Sequence, residues 1–276
     1  MNHDIIKYLD NIDLDDFEIK YDYFDLILAG GGFKGYYHLG LYKILKFFEK
    51  NKKIKIRYIV GTSTGAISAI IYACNLDFDR WINTFYKIKK NIYKSDLHNT
   101  VVEIMKCELP INAYQLCNNK IKILTSRLTI FGFVEEIFDK FESNEHLLKV
   151  LSASIKIPFL TSNDLLGEKI NNKYYYDGFF IRLSPIIFNN DLPQLFIRTY
   201  ATNYSNTLSL KPFDSHIELL SLRGLYESKK FFKYDKQNKI IKWIEPNNQK
   251  KKSFYQKYYY LILPSILYLF SIIKSS

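Results

Sequence analysis

The chain has 276 residues, of which 47% are hydrophobic and 24% charged, and this composition is typical of a globular protein rather than a disordered one. Its formal net charge is +11. No zinc-finger, homeodomain or RNA-binding signature accompanies the basic residues, so we expect no nucleic-acid partner. The three cysteines, Cys74, Cys107 and Cys117, lack C-x-x-C spacing. This argues against a disulfide framework and against a cysteine zinc site.

Acidic and basic residues are concentrated in different parts of the chain. Aspartates are frequent in residues 1–24, and lysines are frequent in residues 229–252. A lysine-rich region of this kind either meets an anionic lipid surface or forms a solvated face, and both interpretations stay open. The first residues contain no basic segment followed by an apolar one, so we expect no secretory signal peptide.

Two strand–loop–helix segments follow each other near the start of the chain. An apolar run over 24–29 ends in glycines and predicts a buried strand, and apolar residues at helical spacing predict a helix over 36–50. A second strand is predicted over 54–60, and a run of small and apolar residues predicts a helix over 66–73. This order predicts a right-handed βαβ unit with parallel strands. Both loops then lie at the carboxyl ends of strands, where open α/β sheets place their sites.

Further strands and helices are predicted along the rest of the chain. Strands are predicted over 121–124, 173–176 and 195–200, and helices over 78–90 and 133–141. Beyond about residue 201 the polar sequence does not define its elements.

The segment Gly61-Thr62-Ser63-Thr64-Gly65 has the G-x-S-x-G pattern of a nucleophile elbow. In such an elbow the serine lies on a tight turn between a strand and a helix. The flanking glycines permit the turn, and the helix N-terminus supplies N–H donors and a favourable dipole. The pattern also occurs by chance in structural turns. The predicted strand before it and the predicted helix after it favour a nucleophile.

The loop Gly30-Gly31-Gly32-Phe33-Lys34-Gly35 has two interpretations. It satisfies G-x-G-x-x-G, which binds dinucleotides when an acidic residue near the end of the next strand holds the ribose. That strand instead ends in Tyr58-Ile59-Val60 and runs into the elbow. Backbone N–H groups that face Ser63 fit an oxyanion hole better.

A serine nucleophile needs a base, and the sequence offers two kinds. For a histidine triad, His216 is the only histidine after Asp177, and it lies in a loop without a supporting pattern. His38 is expected to be a packing residue. The alternative is a dyad in which Asp177 of the Asp177-Gly178 pair accepts the Ser63 proton directly. A partly desolvated carboxylate has a raised pKa and can act as this base.

These motifs, in this order, are similar to those of the patatin-like phospholipase family. That family has a G-G-G-x-[RK]-G loop, a G-x-S-x-G elbow and a distant D-G-[GA]. The chain has Lys34 at the basic position of the loop, Ser63 in the elbow and Asp177-Gly178 downstream. Residues 151–159 are also similar to the family's SASxxxP stretch. The resemblance covers about residues 25–200.

The resemblance implies a fold, an activity and roles for particular residues. The fold would be a three-layer α/β/α sandwich with a mainly parallel central sheet. The activity would be hydrolysis of phospholipids or other acyl lipids, without a metal or cofactor, with Ser63 as nucleophile and Asp177 as base. The oxyanion hole would lie in the loop Gly30 to Gly35. Two alternatives stay open: an acyltransferase that uses the same dyad, and a non-catalytic protein that binds lipid or a partner.

One departure from the family pattern favours the non-catalytic alternative. Phe179 follows Asp177-Gly178, where the family has Gly or Ala, and the Asn that is common a few residues later is absent. If this position needs a positive φ, a phenylalanine there is strained.

The expected organisation is an acidic segment over 1–24, a hydrolase domain over 25–200, a basic extension over 201–257 and a hydrophobic tail over 258–273. The tail carries no charge, but Pro264 interrupts it, and a spanning helix needs about 20 apolar residues. A membrane anchor, an interfacial segment and a core helix therefore all stay open. We expect a protein on the cytoplasmic side that contacts the membrane surface through this tail.

Overall fold

The computed structural model describes residues 17–77, 80–81, 96–181, 191–199 and 217–246. The strands are β1 (Tyr23–Leu28), β2 (Lys55–Gly61), β3 (Ile121–Thr129), β4 (Gly132–Phe138), β5 (Glu168–Ile170), β6 (Lys173–Asp177), β7 (Gln194–Ile197) and β8 (Ile241–Ile244). The α-helices are α1 (Tyr36–Lys50), α2 (Thr64–Ala73), α3 (Leu97–Glu108), α4 (Ala113–Cys117), α5 (Asn144–Ile155) and α6 (Ile217–Tyr234). Short 3-10 turns cover Phe33–Gly35 and Gly178–Phe180.

The described strands form one eight-stranded sheet in the order β5-β6-β3-β2-β1-β7-β8, with β4 also paired to β3. Its centre is parallel, because β1 pairs in parallel with β2 and β7, and β2 with β3. The outer pairs are antiparallel. The predicted fold class is confirmed as a mixed α/β fold whose central, mostly parallel sheet is flanked by helices.

The apolar core divides between the two faces of the sheet, because successive side chains of a strand point to opposite faces. Leu26 and Leu28 of β1 belong to a large cluster that includes the buried faces of α1 and α2. Ile27 and Ala29 belong to a separate cluster with buried residues of β2, β7 and β8. The near-continuous apolar sequence of β1 therefore reflects burial on both faces.

Helix α6 crosses α1 at two glycines. A β-carbon added at Gly40 would lie 1.9 Å from the carbonyl oxygen of Ser221, and one added at Gly224 would lie 2.1 Å from that of Tyr37. The two backbones approach this closely only because neither glycine has a side chain. Residues 217–246, whose elements the sequence pattern does not define, thus add a packed helix and the edge strand β8 to the same sheet.

The βαβ prediction agrees with the structure, but one predicted helix is wrong. Residues 133–141 were expected to be helical, whereas β4 (Gly132–Phe138) pairs antiparallel with β3. Gly132 has a φ of 107° at the turn between the two strands, and its aromatic and β-branched successors suit a strand. Helices α3 and α5 were not predicted. Most of the helix predicted over 78–90 lies outside the described residues.

The expected localisation at a membrane through the tail needs correction. Across the residues that the structure describes, no helix is both long enough and apolar enough to cross a membrane. The longest of them, α6, has 18 residues and carries lysines and an arginine along its length. Residues 258–273 lie outside the described ranges. The prediction that this tail places the protein at a membrane is therefore wrong.

Candidate active site

Ser63 lies in a strained turn between β2 and α2. Its backbone has φ 55° and ψ −129°, a conformation that is unfavourable for a residue with a side chain. The turn is crowded on both sides. A β-carbon added at Gly61 would lie 2.4 Å from the carbonyl oxygen of Gly65, and one added at Gly65 would lie 2.0 Å from that of Leu28. Only glycine fits at either position, as the G-x-S-x-G pattern requires.

The glycine loop faces this turn directly. A β-carbon added at Gly30 would lie 2.7 Å from Ser63 Cβ and 3.4 Å from Ser63 Oγ. At the other end of the loop, one added at Gly35 would lie 3.0 Å from Thr64 Cβ. The absence of side chains at Gly30 and Gly35 therefore lets the loop backbone come against the serine and the residue after it.

The loop itself is held by a short 3-10 turn. Gly32 precedes this turn with φ 57° and ψ −135°. The N–H groups of Lys34 and Gly35 donate to the carbonyls of Gly31 and Gly32, over 3.1 and 3.0 Å. The side chains of Phe33 and Lys34 are buried. Two N–H groups of the loop are thus used inside the turn.

Asp177 lies at the end of β6, and its carboxylate is completely buried. Oδ1 accepts a hydrogen bond from the N–H of Phe179 at 2.8 Å. Oδ2 has no hydrogen-bond partner among the described residues. The backbone is fixed on both sides, because the Asp177 N–H donates to the Lys156 carbonyl and the Ser126 hydroxyl donates to the Asp177 carbonyl.

The base motif also contacts the elbow. A β-carbon added at Gly178 would lie 2.4 Å from Thr62 Oγ1 and 3.1 Å from the side chain of Leu124. Residues Thr62, Ser63 and Thr64 therefore face the base motif and the two ends of the glycine loop. The structure brings together all three motifs found in the sequence.

Burial raises the pKa of the Asp177 carboxyl to about 7, while the hydrogen bond from the Phe179 N–H and the nearby Ser63 hydroxyl act in the opposite direction. No hydrogen bond with ordinary distance and angles joins Ser63 to Asp177. The hydroxyl is nevertheless close enough to favour the ionised carboxylate. Ser63 thus lies beside the buried carboxylate of Asp177, whose Oδ2 has no partner among the described residues, but the two side chains do not form a hydrogen bond.

The model of the patatin-like phospholipase family matches residues 26–188, which is more than half of the chain. The chain belongs to this family. The patatin-like chain is 25% identical over 162 residues to the mouse 1-acylglycerol-3-phosphate O-acyltransferase Pnpla3, covering 55% of this chain and 38% of that protein. It is 24% identical over 172 residues to the human omega-hydroxyceramide transacylase, covering 59% of this chain and 32% of that protein. The matched part is therefore only about a third of the length of these relatives.

In this patatin-like chain, Phe179 stands where the family has Gly or Ala, and the expected strain is absent. Among the described residues, positive φ occurs at Ser63 but not at Phe179. Phe179 lies in the 3-10 turn Gly178–Phe180, and Asp177 uses only its backbone N–H. Any residue except proline supplies that donor.

Two of the three described histidines contact other serines through their rings, and the third, His146, accepts a hydrogen bond from the N–H of Glu142. His38 Nδ1 lies 3.0 Å from Ser68 Oγ, and burial lowers the pKa of His38 to about 3. His98 Nε2 lies 2.9 Å from Ser152 Oγ, and burial also lowers its pKa. None of these three histidines forms a hydrogen bond with Ser63 or Asp177 among the described residues, and His216 lies outside them.

Two residues near Ser63 were not singled out by sequence. The N–H of Ser63 donates to Ser154 Oγ at 3.0 Å, and the Thr199 hydroxyl donates to the Gly30 carbonyl at 2.8 Å. Ser154 belongs to the stretch that is similar to the family's SASxxxP, but no role followed from that similarity. Within the described ranges, no group of three or more His, Cys, Asp or Glu side chains is arranged to hold a metal ion.

Proposed function

We propose that this patatin-like chain hydrolyses carboxylic esters of acyl lipids, with Ser63 as the nucleophile and Asp177 as the general base. The observation that carries the proposal is the placement of Ser63, in a strained turn, beside a buried carboxylate whose pKa is raised to about 7. A base with a pKa near the working pH accepts a proton readily and later returns it. The family match supports ester bonds as the target.

In the first half of the proposed reaction, Ser63 Oγ attacks the ester carbonyl carbon, and its proton passes to Asp177. The tetrahedral intermediate then collapses, and the leaving alcohol takes the proton from Asp177. The product of this half is an acyl-serine and a free alcohol, such as a lysolipid. In the second half, Asp177 removes a proton from water, and the resulting attack releases the fatty acid and regenerates the Ser63 hydroxyl.

The tetrahedral intermediate needs hydrogen-bond donors for its oxyanion. We assign this role to the glycine loop, Gly30 to Gly35, whose first glycine packs against Ser63. The N–H groups of Lys34 and Gly35 are engaged in the 3-10 turn, and that of Ser63 is engaged by Ser154. Among the remaining N–H groups of the loop, we assign the role of donors to those of Gly31, Gly32 and Phe33. The proposed chemistry requires no cofactor.

Acyl transfer is the second candidate, and the names of the relatives favour it. One is an acylglycerol-phosphate acyltransferase and the other a ceramide transacylase. Transfer shares the acyl-serine with hydrolysis and differs only in the second half, where an acceptor alcohol replaces water. Asp177 would then remove the proton from that alcohol. The accepting group therefore decides between the two activities.

One reaction separates both candidates from an inactive protein. The full chain is incubated with a phospholipid that carries a labelled acyl chain, with and without a lysophospholipid acceptor, and the products are separated by mass spectrometry. Hydrolysis yields labelled fatty acid in both mixtures, whereas transfer yields labelled acceptor lipid. Ser63→Ala and Asp177→Asn should lose either product. Ser68→Ala is the matched control, because it removes a buried serine one helical turn further along α2. Products that persist in Ser63→Ala would refute the proposal.

A further inference from the structure

Strand β2, which leads into the Ser63 turn, and strand β6, which ends at Asp177, lie along the same edge of β3. Ile123 pairs with both Gly61 of β2 and Phe138 of β4, so β2 and β4 occupy opposite edges. Thr125 likewise pairs with both Asp177 of β6 and a residue of β4. Because one edge belongs to β4, β2 and β6 share the other edge and follow each other along it.

Leu124 is the residue at which β3 changes partner. The pairing with β2 extends to Ile123, and the pairing with β6 begins at Thr125. The carbonyl of Leu124 accepts a hydrogen bond from Ser154 Oγ at 2.9 Å. The same Ser154 oxygen accepts from the N–H of Ser63 at 3.0 Å. Ser154 is completely buried near the end of α5.

We propose that Ser154 is a positioning residue that sets the placement of Ser63 relative to Asp177. The inference rests on the proposed function, because it concerns the same nucleophile and base. The Ser154 hydroxyl acts here both as an acceptor and as a donor. It accepts from the N–H of Ser63 in the strained turn, and it donates to the carbonyl of Leu124, where β3 changes partner. Ser154 thereby links the Ser63 turn to β3, the strand that also pairs with β6. Ser154 does not touch the reacting atoms.

Loss of this link should act on the chemical step. Without the Ser154 hydroxyl, the N–H of Ser63 loses the acceptor of a partly buried hydrogen bond, and an N–H without a partner away from water is unfavourable. The backbone of the turn then shifts until the N–H of Ser63 reaches another acceptor. A displacement of about 1 Å at a reacting group is enough to lower a rate by about 100-fold. Binding of an ester substrate does not depend on this hydrogen bond and should change little.

The matched control is Ser152, two residues earlier on α5. It is also a buried serine, and its hydroxyl contacts His98 and Glu168 rather than Ser63. Ser152→Ala and Ser154→Ala therefore each remove one buried, hydrogen-bonded hydroxyl from the same helix. A purely structural role for Ser154 predicts equal effects of the two substitutions on stability and on turnover.

The test measures kcat and KM of the full chain on a soluble fluorogenic ester, together with thermal unfolding. We expect Ser154→Ala to lower kcat by about 10- to 100-fold with KM almost unchanged, while Ser152→Ala keeps most of the wild-type kcat at a similar melting temperature. Ser154→Thr, which keeps the hydroxyl, should recover most of the rate. If Ser154→Ala does not fold, Ser154→Cys replaces it, because a thiol is a weaker acceptor of similar size.

A second measurement does not depend on turnover. Amide hydrogen exchange should find the Ser63 N–H protected in the wild type and in Ser152→Ala, and unprotected in Ser154→Ala. An unprotected Ser63 N–H in the wild type, or equal kcat values for Ser152→Ala and Ser154→Ala, would overturn the inference. Absence of Ser63-dependent turnover in the wild type would instead refute the proposed function, so the two failures are distinguishable.

Discussion

Ser63 and Gly32 share one backbone conformation, with φ 55° and ψ −129° at Ser63 and φ 57° and ψ −135° at Gly32. Each residue directly precedes a helical segment. Glycine adopts this conformation without strain, whereas a residue with a β-carbon does not. The proposed nucleophile therefore occupies a position that glycine would fit better.

This relationship predicts an order of stability among variants. Ser63→Gly should be more stable than Ser63→Ala by about 1 kcal/mol, because it relieves the strain that alanine keeps. Both variants lack the hydroxyl, so both should be inactive. Urea unfolding of the two proteins measures the difference. Equal stability, or a less stable Ser63→Gly, would mean that the turn is not strained in solution.

A second prediction concerns the residues that follow Asp177. Phe179→Gly should keep most of the activity on a soluble ester, because Asp177 uses only the N–H at position 179. Gly178→Ala should lose most of it, because the added β-carbon would lie 2.4 Å from Thr62 Oγ1. The rates of ester hydrolysis by the two variants, measured under the same conditions, test this ranking. The opposite ranking would show that the phenylalanine side chain matters more than the glycine.

The pH dependence of the reaction should follow the ionisation of the Asp177 carboxyl. The proposed base must be ionised, and burial raises its pKa to about 7. The value of kcat/KM should therefore rise with pH, by about tenfold per unit below pH 7, and level off above it. A profile measured from pH 5 to 9 tests this, and Ser68→Ala should give the same curve. A flat profile across pH 7 would contradict the assignment of Asp177.

The same carboxyl should destabilise the fold at alkaline pH. Its folded pKa of about 7 exceeds the ordinary value of 3.8. Its contribution to stability is therefore fully present below the unfolded pKa and is lost as the pH rises through 7. At pH 8.5, Asp177→Asn should unfold at a higher temperature than the wild type, with about 4 kcal/mol as the upper limit of the gain. The difference should shrink at pH 5. An equal difference in stability at pH 8.5 and at pH 5 would contradict the prediction, because it could not come from the ionisation of Asp177.

The sequence predicted the strands, loops and helices around Ser63 well, because strong local signals define them. The apolar runs and glycines of the first βαβ unit indicate both loops, and the structure places Gly30 against Ser63. Residues 133–138 were predicted incorrectly, because their apolar residues fit a helical period as well as a strand, and only pairing with β3 decides.

The contacts between distant segments were not predictable from one sequence. Ser63 and Ser154 are 91 positions apart, and a serine near the end of a helix carries no signal of its partner. The change of partner at Leu124 depends on how three strands align along β3. Local periodicity contains no information about such an alignment.

The most direct test of the central claim, that Ser63 is an activated nucleophile, is covalent labelling by a fluorophosphonate followed by intact mass spectrometry and peptide mapping. The wild type should gain one label, located on Ser63. Ser63→Ala should gain none, and Asp177→Asn should label at least about 100-fold more slowly, because the base is missing. Folding of each variant is checked by circular dichroism. A folded wild type that takes no label, or a label that persists in Ser63→Ala, would contradict the account.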